Sequence, residues 1–302
     1  VLAPAQKDAL TVEGYDGEIE NHWMYQVQKS LIFANTVLRS HPSVKEDQVG
    51  ITGISWGGFG MSFAICYDAR YAFGIPVYIS ANTDDSQTRS LNNLYQNPFL
   101  AALWQNDELL KQVSMPVLVI NSDMDLYTSV DVSAMTAGMV QNGKVCIIHK
   151  LSHSQQQGAA LSEIYLFADE VLGISHRLPE LTRQPSAESG HSFTLEIKEN
   201  AELSEYRATL YYLNNPVTCL NHAANADSFL AEEWNEVPLL IDGEKIKVEL
   251  PETVAVYYIQ LSAFNEKESK VKDVYTGITY GNDGRITVST DLVSSFPGMF
   301  CE

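Results

Sequence analysis

Between residues 23 and 39 the apolar positions Trp23, Val27, Leu31, Ala34 and Leu38 recur at helical spacing, which predicts a helix burying one stripe. Pro42 disfavours helical geometry at His41, so that helix should stop in Ser40-His-Pro-Ser43. A short β-branched run follows at residues 49–52, then a glycine cluster from Gly53 to Gly60, then a small, apolar, helix-like stretch over 61–67. Further strands are expected at 74–79, at 117–120 behind Pro116, and at 144–149. Helices are expected at 107–113, at 129–140, where Val132, Met135 and Met139 share a face, and at 159–171. Residues 5–20 read as loop, and 81–115 as irregular apart from the short helix. Short apolar strands alternating with helices predict a mostly parallel sheet covered on both faces.

The pattern changes after Gly173. Pro179, Pro185 and a run of polar residues suit a linker over 176–190. Beyond it come seven short strand candidates, at 193–197, 208–213, 237–241, 246–250, 255–261, 274–280 and 286–289. Asn282-Asp-Gly284 is a hairpin signal between the last two. The expected division is therefore an α/β domain over 1–175, a linker over 176–190, and an immunoglobulin-like β-sandwich over 191–302. A chain of 302 residues exceeds one ordinary core, in keeping with two domains.

Composition narrows the class. Hydrophobic residues at 45% and aromatics at 10% match a globular chain rather than a disordered one. No apolar run approaches the roughly 20 residues of a membrane-spanning helix. The net charge of -19 repels nucleic-acid phosphates and anionic membranes, so neither is an expected partner, and a neutral or weakly polar substrate is favoured over a polyanion. Cys66, Cys146, Cys219 and Cys301 are scattered, without C-x-x-C or metal-ligand spacing. They could form two disulfides, but Cys66 and Cys146 read as buried residues of a helix and a strand, and the compartment stays undecided. Val1-Leu-Ala-Pro4 reads like the tail of a strand, without an initiator methionine or signal peptide, as if the chain began inside a longer protein.

Gly53-Ile-Ser-Trp-Gly57 matches G-x-S-x-G between a predicted strand and a predicted helix, the setting of a nucleophile elbow. Ser55 would occupy a sharp strained turn, with flanking glycines letting strand and helix approach, and the Trp56 amide would face a developing oxyanion. The blander alternative is a tight turn with a capping serine; a phosphate loop is disfavoured because neither G-x-G-x-x-G nor a Walker pattern is present. In such folds the chain order is serine, acid, histidine, each after a strand. Asp125 after the 117–120 strand and His153 after the 144–149 strand satisfy that order. Each has a rival. Asp123 shares the acid loop but could simply cap or turn it, and Asp125 has more reach. His149 reads as a buried strand residue. His149 and His153 have the spacing of a helical zinc pair, yet Lys150 stands where H-E-x-x-H needs glutamate, which argues against a metal site.

These motifs resemble the acetyl-xylan-esterase and dipeptidyl-peptidase-like (prolyl-oligopeptidase-type) branch of the α/β-hydrolases. The residues that carry the resemblance are His22-Trp-Met-Tyr25, Gly53-Ile-Ser-Trp-Gly-Gly58, Asp68-Ala-Arg70 with Pro76-Val-Tyr78, Val119-Ile-Asn121 with Asp125, and Leu151-Ser-His153, spanning roughly residues 21–172. The later strands resemble, more distantly, the accessory domain of PhoPQ-activated pathogenicity-related proteins. The resemblance implies a doubly wound α/β-hydrolase sheet and hydrolysis of carboxylic esters, acyl esters of carbohydrates above all, through Ser55, Asp125 and His153 with Trp56 at the oxyanion. Its alternatives are a serine peptidase, or a binding protein that keeps the fold without catalysis. It implies no cofactor, a small-molecule or carbohydrate ester as partner, and a secreted or periplasmic setting ahead of a cytoplasmic one. Members of this fold carry several strands before the elbow helix, and one of their loops supplies a second oxyanion amide. Here only residues 1–3 could be strand before Trp23, so the N-terminal strands are expected to be missing and to come from an upstream segment or another copy in a homo-oligomer. No triad candidate lies beyond residue 191, which makes the sandwich an expected accessory.

Overall fold

The computed structural model describes residues 18–78, 98, 103–104, 107–125, 127–214, 233–265, 271–272, 279–280 and 284–294. The strand expected at residues 1–3, most of the irregular 81–115 segment, the front of the 274–280 strand, the Asn282-Asp283 turn, and Cys219 and Cys301 lie outside them.

The first half alternates helix and strand: α1 (Trp23–Ser40), β1 (Ile51–Ile54), α2 (Trp56–Tyr67), β2 (Gly74–Val77), α3 (Asp107–Leu110), β3 (Pro116–Ser122), α4 (Val130–Met139), β4 (Asn142–Ile148), α5 (Gln155–Ala159) and α6 (Ser162–Val171). The four strands pair in parallel in the order β1-β2-β3-β4, with Ile51 beside Gly74, Val77 beside Ile120 and Ile120 beside Cys146. Alternate residues face opposite sides. Val117, Val119, Val145 and Ile147 join one core cluster with Val130 and Ala137 of α4, while Leu118, Ile120 and Cys146 join another with Ile164 and Phe167 of α6. The sheet is thus covered on both faces, as its apolar strands require. No helix among the described residues is long and apolar enough to cross a membrane.

The predicted stripe of α1 needs correction. The helix forms, but its buried positions are Met24, Gln28 and Asn35, while Leu38 is half exposed. Two amides displace apolar residues because each meets a partner on the neighbouring segment: Gln28 donates to the Gly60 carbonyl (3.0 Å) and Asn35 to Asp68 (2.9 Å). Asp68 also receives both arms of Arg70, each at 2.7 Å. Burial pushes the Asp68 carboxyl up, but the bonds from Arg70 and Asn35 outweigh it and hold the carboxyl below its ordinary range.

The second half is antiparallel. β5 (Glu180–Leu181), β6 (Ser192–Lys198), β10 (Lys245–Glu249) and β9 (Ile241–Asp242) form one sheet. β14 (Arg285–Ser289), β11 (Val256–Phe264), β7 (Ser204–Leu213) and β8 (Asn235–Leu239) form the other, with β15 (Val293–Ser294) also on β11. A separate ribbon pairs β12 (Val271–Lys272) with β13 (Thr279–Tyr280). The two larger sheets share a core of Leu195, Ile197, Leu210, Ile246, Val248, Ile259 and Leu261. The segment read as linker is not free chain: its β5 pairs with β6, and Arg177 binds Asp169 of α6 at 3.0 Å. Nor do the halves stand apart. Tyr211, Leu213, Trp234, Val256, Tyr258 and Leu292 belong to the same cluster as the parallel sheet. Ile147 of β4 donates to the Ser289 hydroxyl (2.8 Å), and the Thr287 amide donates to Glu163 of α6 (2.7 Å). Cys146 is a buried thiol at this junction, donating to the Thr287 carbonyl (3.3 Å), and the Cys66 thiol donates to the Ser62 carbonyl (3.2 Å).

Candidate active site

Ser55 sits between β1 and α2 at φ 57° and ψ -122°, a conformation few non-glycine residues adopt. Its amide donates to the Val77 carbonyl (2.9 Å) and its carbonyl accepts from Phe59 (3.1 Å), so neighbouring strand and following helix hold the strained turn from both sides. Gly53 permits this closure: a Cβ there would lie 2.1 Å from the Gly57 carbonyl oxygen. Gly57 has open space around its own virtual Cβ, so only the first glycine of the pattern is demanded by packing. Trp56 is the first residue of α2, placing its amide at the positive end of the helix.

The expected acid and base meet the serine from two other loops. His153 Nε2 lies 2.9 Å from Ser55 Oγ, and His153 Nδ1 lies 2.6 Å from Asp125 Oδ2. The other carboxylate oxygen of Asp125 accepts from the amides of Tyr127 (2.7 Å) and Thr128 (2.9 Å). An acceptor carboxylate at Nδ1 leaves Nε2 free to accept the serine proton, the tautomer a general base needs. Asn121, at the end of β3, donates to the Thr128 carbonyl (3.0 Å) and to Ser133 (2.8 Å), which closes the acid loop onto α4.

The rivals are brought together too, with each other. Asp123 Oδ2 lies 2.5 Å from His149 Nδ1, so Asp123 is more than a turn residue, and His149 lies just past the end of β4. Neither has a hydrogen bond to Ser55 or His153 among the described residues. Among the described residues no group of three or more His, Cys, Asp or Glu side chains could hold a metal ion.

Two tyrosines enclose His153. Tyr78 stacks on the His153 ring with centroids 4.4 Å apart, and Tyr127 tilts against it at 4.5 Å. The fully buried Tyr78 lies at φ 68°, and its hydroxyl reaches the carbonyls of Ser152 (2.8 Å) and Ser154 (3.1 Å), clamping the base loop. Burial raises its pKa, so the hydroxyl stays a donor. Sequence reasoning assigned neither tyrosine a role, although Tyr78 falls in the Pro76-Val-Tyr78 motif that carries the resemblance. Beside Ser55 lies an aromatic wall in which Trp56 meets Trp23 edge-on (5.5 Å) and His22 stacks on Trp104 (5.7 Å), with burial lowering the pKa of His22. A cavity of about 870 Å³ lies elsewhere, between β4, α6 and the antiparallel sheets, and no triad candidate lines it.

No family model and no curated protein matches the chain. Among solved structures it is similar to Est1E from Butyrivibrio proteoclasticus (14% identity, 50% of this chain and 70% of that one, TM-score 0.38). It is similar also to acetyl xylan esterase 1 from a Thermoanaerobacterium species (16% identity, 57% of this chain and 60% of that one, TM-score 0.42). A third is the acylaminoacyl peptidase of Pyrococcus horikoshii (22% identity, 52% of this chain and 30% of that one, TM-score 0.38). The chain thus spans less than two thirds of the latter two proteins. Likenesses this remote transfer no function.

Proposed function

We propose that the chain is a serine hydrolase of the α/β-hydrolase type that cleaves carboxylic esters by way of an acyl-enzyme on Ser55. The observation that carries this reading is the continuous relay Ser55–His153–Asp125, at 2.9 and 2.6 Å, behind a serine at φ 57°. Ser55 Oγ attacks the acyl carbonyl as its proton passes to His153 Nε2, and Asp125 stabilises the imidazolium that forms. The amide of Trp56 donates to the carbonyl oxygen as it gains charge. Collapse breaks the bond to the alcohol, which leaves with the proton from His153. Water, deprotonated by the same nitrogen, then attacks the acyl carbon and releases the acid.

The motif resemblance to acetyl xylan esterases directs the substrate towards acyl esters of carbohydrates, and the net charge of -19 is consistent with an uncharged one. The test is release of acetate from acetylated xylan and from an activated acetyl ester by the purified chain. Turnover by the native chain, and a loss of several orders of magnitude in Ser55→Ala, is expected. Equal turnover by Ser55→Ala would remove the nucleophile from the scheme, and cleavage of aminoacyl amides in preference to acetyl esters would make it a peptidase.

A further inference from the structure

Asp123 has donors on three segments. Its carboxylate, with no exposed surface, receives His149 Nδ1 (2.5 Å), the Lys150 amide (3.0 Å) and the Tyr258 hydroxyl (2.8 Å), and its carbonyl receives the Trp234 indole (3.2 Å). His149 and Lys150 begin the loop that ends at His153, and Lys150 is held there at φ 56°. Tyr258 lies in β11 and Trp234 just before β8, both in the antiparallel half. An aromatic stack backs the cluster: His149 on Tyr211 at 4.1 Å, Tyr211 on Tyr258 at 5.2 Å, and Trp234 edge-on to Tyr258 at 5.3 Å. Gln260 of β11 accepts from the His149 amide (3.0 Å). Burial first, and the charge of Asp123 second, drive the Tyr258 pKa far upward, so this hydroxyl remains a donor.

One carboxylate therefore joins the acid loop to the base loop and ties both to the antiparallel sheets. Asp123 lies two residues before Asp125, and Lys150 three before His153, so movement of the clamp is transmitted directly to the 2.6 Å contact between them. Reacting groups tolerate little of that, since a displacement of about 1 Å can cost roughly a hundredfold in rate.

We propose that Asp123, gripped by His149, Tyr258 and Trp234, is a positioning residue that sets Asp125 against His153 and makes the antiparallel half part of the catalytic apparatus. This role rests on the serine-hydrolase reading of the site. It departs from the expectation that the C-terminal strands are merely accessory.

The test compares the full-length native chain with Tyr258→Phe, Trp234→Phe and, as an interface control, Ser289→Ala. The Ser289 hydroxyl accepts from Ile147 of β4 and donates to the Thr290 carbonyl, with no hydrogen bond to either loop among the described residues. Hydrolysis of an activated acetyl ester is followed across pH, well below each variant's unfolding temperature, together with the rate of fluorophosphonate labelling at Ser55. Tyr258→Phe and Trp234→Phe are expected to lower kcat about ten- to hundredfold with KM little changed, to slow labelling in parallel, and to displace the acid limb of the kcat/KM profile. Ser289→Ala should lower the unfolding temperature and leave all three kinetic readouts in place. If both aromatic variants fold and keep kcat and pH profile within about twofold of native, the positioning role is wrong while the hydrolase reading stands. A native chain inert to both ester and probe overturns both.

Discussion

Replacing Gly53 by alanine separates the structural reading of the elbow from its sequence pattern. The added Cβ would lie 2.1 Å from the Gly57 carbonyl oxygen, 2.2 Å from its carbon and 2.7 Å from the Gly58 nitrogen. All three are backbone atoms in the first turn of α2, so no side chain can rotate away. Strand and helix must separate by roughly 1.3 Å or more to bring that Cβ to ordinary contact at about 3.4 Å or beyond. Overpacking of this kind costs about 1–3 kcal/mol of stability, which lowers the unfolding temperature by several degrees. The same movement carries Ser55 away from the His153 nitrogen 2.9 Å distant, for an expected loss of roughly a hundredfold in kcat. Gly57→Ala supplies the contrast. Nothing lies within 4 Å of its virtual Cβ, and an alanine in a helix is favoured over glycine by up to about 1 kcal/mol. Thermal melts and kcat on an activated ester measure both variants. Comparable damage from the two, or a harmless Gly53→Ala, would refute the packing account of the elbow.

His153→Ala should abolish turnover, whereas His149→Ala should leave a measurable fraction of kcat, because only His153 touches Ser55; steady-state rates on the same ester decide. Tyr78→Phe removes the hydroxyl that reaches the Ser152 and Ser154 carbonyls and should cost about 1–3 kcal/mol in denaturant melts while loosening the base. Asp68 has its carboxyl held below the ordinary range, so the stability it adds is complete above the unfolded-state pKa and is lost as pH falls through the folded one. Melting temperatures below about pH 4 should therefore fall more steeply in the native chain than in Asp68→Asn. Cys146, fully buried with its thiol pKa pushed up by burial, should resist alkylation in the folded chain and react on unfolding, as mass spectrometry would read.

The parallel α/β half is legible in the sequence because its signals are local. Valine- and isoleucine-rich strands alternate with helical periods, and G-x-S-x-G falls at a strand-to-helix boundary. The chain order of Ser55, Asp125 and His153, each after a strand, is a local signal of the same kind, and in the structure His153 hydrogen-bonds both Ser55 and Asp125. What is not legible depends on contacts distant in sequence. Gln28 and Asn35 displace apolar residues from the α1 stripe only because Gly60 and Asp68 stand opposite. Asp123 reads as a turn residue until Tyr258 and Trp234, more than a hundred positions away, close on it. Likewise, 176–190 reads as linker because it is rich in proline and polar residues, and two residues of β5 are too short for any periodicity.

The central claim is that Ser55 is a nucleophile activated by His153. The direct measurement is to treat the folded chain with a fluorophosphonate, digest it, and locate the adduct by mass spectrometry, alongside Ser55→Ala and His153→Ala. The account predicts a single stoichiometric adduct on Ser55, none in Ser55→Ala, and labelling slowed by several orders of magnitude in His153→Ala. An unlabelled Ser55 in the folded native chain, or labelling that proceeds equally fast without His153, would contradict it.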